Sequence, residues 1–409
     1  MGAECWPTWL TDAPGVWSDD VKPTKTVAFV AAVVTLGLAG PAVATAAAAT
    51  HHSTVVGHVY VNDNTSGANT IAAFDRHADG SLTSETGSPF AAGGAGLGAG
   101  TGSQGSLEVT PDGRYLLAVD AGSNQVSVLR VHHDGSLSAV GGGPVSSHGI
   151  EPVSVAISRW GSRDLVYVAN AGDGGANYTG FTLSWRGQLR HLSGSTVPVP
   201  DGSVLGDVLF NSTGTVLAGT RVGTQLVDSF NVGRNGLLYA APGSPFAAQG
   251  PGPIGSEFSP VRPDQLFVSN AHGGANNGTV SAFKVSRAAV LTSIGASPFA
   301  DNQTAPCWVE ISHDGRFLFT SNTAVPSISR YSIASDGSLT LLGSTPLSAT
   351  AEKGPVDLRL SPSGKNLYVV DSGSLAITSF AVHGGNLSEL ASSPISLPAG
   401  TSPVGIVVD

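Results

Sequence analysis

A chain of 409 residues with only 12% charged side chains, 54 glycines and 25 prolines suits many short strands joined by tight turns and argues against long helices. Its formal charge is −10, and no basic run follows Lys25. That balance excludes a surface that tracks phosphates, so nucleic acid is not an expected partner.

Residues 1–20 carry Trp6, Trp9, Trp17 and the single Met of the chain. Lys22 and Lys25 then precede an uncharged run, 26–39, that is short for a bilayer span and exits through Ala42-Val43-Ala44. A positive start, an apolar centre and an Ala-x-Ala exit form a secretory signal. The expectation is therefore an extension plus signal over 1–50, cleavage near Ala44, export, and no membrane attachment afterwards. A retained anchor is the alternative. The first twenty residues do not resemble a signal, so translation starting at Val21 is a further expectation. Of the two cysteines, Cys5 precedes the signal, which would leave Cys307 unpaired and packed beside Trp308.

From residue 51 onward one phrase recurs. Thr110-Pro-Asp-Gly-Arg114 forms a turn between two apolar strands, and it returns as Ser158-Arg-Trp-Gly161, Asn211-Ser-Thr-Gly214, Ser312-His-Asp-Gly315 and Ser361-Pro-Ser-Gly364. In 259–264 it is lengthened. A period near fifty residues, with every unit made of short strands, predicts an all-β propeller over 51–409. Blade one offers strands at 58–61 and 70–74, a turn at Asp79-Gly80 and a last strand from Leu82, and so lacks its innermost strand. The tract 93–105 is glycine-rich without the Lys-Ser/Thr ending of a phosphate loop, and reads as a flexible connection.

Six further four-stranded blades follow, beginning at Ser106, Val153, Asp207, Gly255, Trp308 and Val356. The C-terminal Pro403-Val-Gly-Ile-Val-Val-Asp409 matches an innermost strand such as 152–158. It can supply the strand that blade one lacks, closing a seven-bladed ring and hiding its edges.

The Asp-Gly-Ser-Leu endings at 79–82, 134–137 and 336–339, together with the Pro-Asp-Gly-Arg hairpin, resemble the lactonase-like seven-bladed propellers. That group includes bacterial 6-phosphogluconolactonases and fungal carboxymuconate cyclases. The resemblance spans about 58–409 and implies an active mouth built from the starts of the innermost strands and the loops after the second strands. It also implies a His-x-His pair where this chain has Ser103-Gln104-Gly105, and an Arg-His pair where Gly206-Asp207 stands. An implied Asn-Glu is Asn270-Ala271, and an implied Asn-Arg is Asn322-Thr323. The family's acid, base and oxyanion groups are thus not retained at these positions.

Aligned by their hairpins, the innermost strands place Glu108, Ala156, Leu209, Glu257, Glu310, Arg359 and Val407 at one level. Alternation of strand side chains would turn all of them toward a central channel. Three glutamates and an arginine could hold a polar ligand or a cation, raise one carboxyl pKa for acid-base work, or form a structural ion pair. Two residues nearer the expected mouth stand Ser106, Ser154, Asp207, Gly255, Trp308, Asp357 and Gly405.

Candidate ligand contacts are Glu108, Asp207, His272, Trp308 and Asp357, with Trp308 as the single aromatic platform. The first functional reading is an exported propeller that recognises a small polar molecule or a cell-surface polymer at the mouth. The second is a lactone hydrolase with Glu257 or Glu310 as base and Arg359 holding the oxyanion. The third is a protein-interaction scaffold. No zinc motif or serine elbow is present, so no metal or cofactor is expected, and the default state is a monomer.

Overall fold

The recurring turn folds for a local reason. In blade two, Gly113 takes φ 72°, a left-handed conformation that glycine adopts without steric cost, and its N–H donates to Thr110 O at 2.8 Å. Gly214, Gly315 and Gly364 repeat this at φ 65°, 69° and 67°. Each turn joins the innermost strand of a blade to the second. The computed structural model describes residues 53–348 and 354–409. The expected extension, signal and cleavage site lie outside them.

Among the described residues the strands form seven antiparallel sheets. Blade two is typical, with Leu107–Val109 innermost, then Tyr115–Asp120 and Gln125–Val131. Its fourth position is divided between Leu137–Ala139 and Val145–Ser146, both paired to the third strand. The expected four-stranded blade therefore holds, with an outermost strand in two short pieces. Blade six is the exception, where Leu339–Pro346 runs continuously.

Ring closure follows the expected route. Gly405–Val408 lies innermost in blade one and pairs with Val55–Asn62, setting Val407 opposite Tyr60. The end of the chain is held as well. Arg76 Nη2 donates to Asp409 O at 2.6 Å, and His58 Nδ1 lies 3.4 Å from Asp409 Oδ1.

Burial occurs between blades. Val59, Val61 and Phe74 of blade one pack on Tyr368, Val370 and Ile377 of blade seven, while Leu117 and Val119 of blade two meet Val166, Val168 and Phe181 of blade three. Each sheet thus covers its apolar face only with its neighbours, which makes the ring one cooperative unit. Three tyrosines at equivalent positions add a polar tie to the outer turn of the next blade. Tyr60, Tyr167 and Tyr368 donate to the carbonyls of Gly135, Gly236 and Gly80 at 3.0, 2.9 and 3.0 Å.

Two expectations are corrected. Cys307 is disulfide-bonded; the expected free thiol rested on loss of the segment that holds Cys5, which lies outside the described residues. The tract expected to be a flexible connection ends in Ser103-Gln104-Gly105, which is buried and bonded to three other blades. Among the described residues no helix is long and apolar enough to cross a membrane.

Candidate functional site

The level read from the hairpins is real. Glu108, Ala156, Leu209, Glu257, Glu310 and Arg359 pair across their blades with Leu117, Tyr167, Ala218, Phe267, Phe319 and Tyr368. Equal register in each blade delivers their side chains to equal height on the axis. All six line one cavity of about 230 Å³.

One end of that cavity is closed. Residues 103–105, just before blade two, cross the axis where the innermost strands begin. Ser103 Oγ donates to Val153 O of blade three at 2.9 Å, and Gln104 N donates to Gly206 O of blade four at 2.9 Å. The Gln104 side chain reaches blade six, with Nε2 donating to Val309 O at 2.8 Å and Oε1 accepting from Val309 N at 3.0 Å. Gly255 makes this crossing possible, because a Cβ there would stand 2.2 Å from Gln104 Oε1. The cavity lining runs from Gln104 down to the half-buried Ile157 and Phe210, so access is from the face of the hairpin turns.

This overturns the expected open mouth at the strand starts. Trp308 is 3% exposed and its Nε1 donates to Ser103 O at 2.7 Å; it braces the crossing segment and offers no platform to solvent. Asp357 is fully buried, accepting from the Leu358 amide at 2.9 Å and facing Arg359. Asp207 is 2% exposed, and its carboxylate accepts from Ser154 Oγ, Ser256 N and Ser256 Oγ. It does line the cavity, as part of the wall under Gln104. His272 sits away from the cavity, in the loop after Gln265–Asn270, with its amide donating to Pro251 O at 3.0 Å. Of the Asn and Asp side chains at the strand ends, Asp120 accepts from Ser127 Oγ within its own blade and from Asn69 Nδ2 of blade one.

Inside the cavity, charge is unevenly satisfied. Arg359 Nη2 lies 3.2 Å from Glu108 Oε1, while its Nη1 faces Glu310 Oε2 at 3.6 Å and Asp357 Oδ1 at 3.4 Å. Burial opposes the charged guanidinium, but Asp357, Glu108 and Glu310 outweigh it and hold Arg359 well above its ordinary pKa. Glu310 Oε1 also accepts from Leu360 N at 2.9 Å. Burial pushes the Glu310 carboxyl up to about 7 against the pull of Arg359, and burial sets Asp207 at about 7 too.

Glu257 differs from both. Its carboxylate faces the cavity with no hydrogen bond or ion pair, and burial followed by repulsion from Glu310 raises its pKa well above the carboxylate range. The arrangement can donate or accept a proton at Glu257 beside a fixed cation. No motif in the sequence could have shown the Gln104 crossing, because its partners lie about 50 to 205 residues away.

Residues 261–403 match the family described as "Lactonase, 7-bladed beta-propeller". No curated protein matches the sequence. Among solved structures, a proposed 6-phosphogluconolactonase from Bacteroides uniformis aligns with TM-score 0.68 at 18% identity, over 87% of this chain and 100% of that one. A protein from Lactobacillus plantarum gives TM-score 0.67 at 21% identity, over 86% and 99%. The periplasmic gluconolactonase PpgL of Pseudomonas aeruginosa gives 0.67 at 18%, over 86% and 98%. At such identities the likeness to solved structures is one of fold.

Proposed function

Starting from a chain that is a lactonase-like seven-bladed propeller, we propose that its axial chamber binds a small polar molecule that enters through the hairpin-turn face, in a protein exported by its N-terminal signal. The observation that carries this reading is the Glu257 carboxylate, which faces the cavity without a partner. Glu257 is half-buried, and a polar group that reaches a cavity without a protein bond marks a place where a ligand can complete the bonding. A chamber of about 230 Å³ has room for one sugar-sized group, so a polymer would present only a terminal unit. A protein-interaction scaffold would not need this chamber.

A second reading is favoured by the pairing of a proton-holding carboxyl with Arg359. In lactone hydrolysis Glu310 would take a proton from the attacking water, Arg359 would hold the developing oxyanion, and Glu257 would protonate the ring oxygen as its bond to the acyl carbon breaks. That set would replace the family groups not retained at Ser103-Gln104-Gly105 and Gly206-Asp207.

The test is proton release at constant pH with 6-phosphogluconolactone and unphosphorylated lactones, each compared with its spontaneous opening. Saturable turnover lost in Glu257→Gln, Glu310→Gln and Arg359→Ala supports hydrolysis. Binding without turnover, lost in the same variants, supports the recognition reading. Turnover or binding unchanged in all three overturns the chamber as the site.

A further inference from the structure

Resting on the reading of the axial chamber as a ligand site, we propose that its ligand is a small organic cation, bearing an ammonium or guanidinium group that Glu257 receives. Four carboxylates line the cavity, those of Glu108, Asp207, Glu257 and Glu310, and Arg359 is the one cationic side chain among the lining residues.

That arginine is already committed. Its two terminal nitrogens are shared by Glu108, Glu310 and Asp357 at 3.2, 3.6 and 3.4 Å. Asp207 is likewise occupied by Ser154 and Ser256. An incoming anion therefore finds no uncommitted cation, and it would stand among carboxyl groups that repel it to the extent that they are ionised, with the low dielectric strengthening that repulsion. An incoming ammonium finds Glu257 without a protein partner, and its positive charge favours release of the Glu257 proton, so that the bond formed is a charge-assisted one of the strong kind.

The apolar part of the wall fixes the rest of the ligand. Blades three and four contribute Ala156, Ile157, Leu209 and Phe210 to the lining, so an apolar stretch of wall lies between Glu108 of blade two and Glu257 of blade five. An organic cation with a compact apolar or sugar body suits both the apolar stretch and the carboxyl groups. A bare divalent ion does not. Among the described residues, the one group of three or more His, Cys, Asp or Glu whose ligand atoms gather within 4.8 Å of one another is His58, Asp75 and Glu85, which lies outside the chamber. The same charge balance disfavours a phosphorylated sugar.

The test is isothermal calorimetry on the purified protein at neutral pH and low salt with two matched series: glucosamine, glucose and glucose 6-phosphate; and 2-phenylethylamine, 2-phenylethanol and 2-phenylethyl phosphate. The amine of at least one series should bind about tenfold or more tighter than its neutral partner, with the phosphate weakest. Glu257→Gln, verified as folded by thermal unfolding, should remove the preference of the amine over its neutral partner. Neutral or phosphorylated members binding as well as the amines would overturn the cation assignment alone. No heat from any of the six compounds would overturn the chamber as a ligand site and this assignment with it.

Discussion

Gln104 and Val309 form a two-bond pair across the propeller axis, the side-chain amide of one matching the backbone N–H and C=O of the other at 3.0 and 2.8 Å. A side chain from the segment before blade two thereby acts as one more strand residue beside blade six. This pair closes one end of the chamber and fixes the direction from which a ligand arrives.

Gln104→Ala should open that closure. Two buried backbone groups of Val309 would lose their partners, at a cost of about 1–3 kcal/mol. The Val309 amide should lose protection in native-state hydrogen exchange by a larger factor than amides on the outer strands. Unchanged protection at Val309 would show that other contacts hold the segment.

The chamber also predicts a pH dependence of stability. Glu310 and Asp207 sit at about 7 in the folded chain, and burial with repulsion from Glu310 raises Glu257 as well. Each folded-state pKa exceeds the unfolded value, so the native state binds more protons between about pH 4.5 and 7. The stabilisation from these protons is fully present below the unfolded pKa and lost as pH rises through 7 and above. Denaturant midpoints measured from pH 5 to 8 should fall, and Glu310→Gln with Asp207→Asn should flatten the slope. Asp63, also raised by burial to about 7, should leave a residual slope in that double variant.

Removal of residues 405–409 should show what closure is worth. Ile406 and Val407 are 0% and 4% exposed, and full burial of such side chains contributes about 1.5–3 kcal/mol each. The truncated chain should unfold at least about 3 kcal/mol more easily, and its exposed strand Val55–Asn62 should promote self-association. Equilibrium denaturation and sedimentation would record both effects.

The inter-blade tyrosine ties offer a finer measurement. Tyr368→Phe keeps the ring and removes the bond to Gly80 O, leaving that carbonyl without this donor, and should cost about 1 kcal/mol. Tyr60→Phe and Tyr167→Phe act at other blade boundaries. Their effects should add, since they share no partner. A triple variant that loses no more than a single one would mean that these bonds are replaced by water.

The chain's own order of residues determined the propeller. A left-handed glycine in each Thr110-to-Arg114-type turn, apolar strands on either side and a C-terminal copy of an innermost strand are local signals, and local backbone preference plus pattern is enough to specify blades and their closure. The level of Glu108, Glu257, Glu310 and Arg359 was legible for the same reason, since hairpin register carries side-chain height with it. Only the tertiary structure decided which end of the channel is open. Asp207, Trp308 and Asp357 read as mouth residues because polar and aromatic groups at strand starts often meet solvent. In the folded chain Ser103-Gln104-Gly105 covers Asp207 and Trp308, through bonds to Val153, Gly206 and Val309, and Asp357 is buried against Leu358 and Arg359. Contacts between residues so far apart along the chain leave no periodic trace, because they depend on how the blades close around an axis that no single repeat contains.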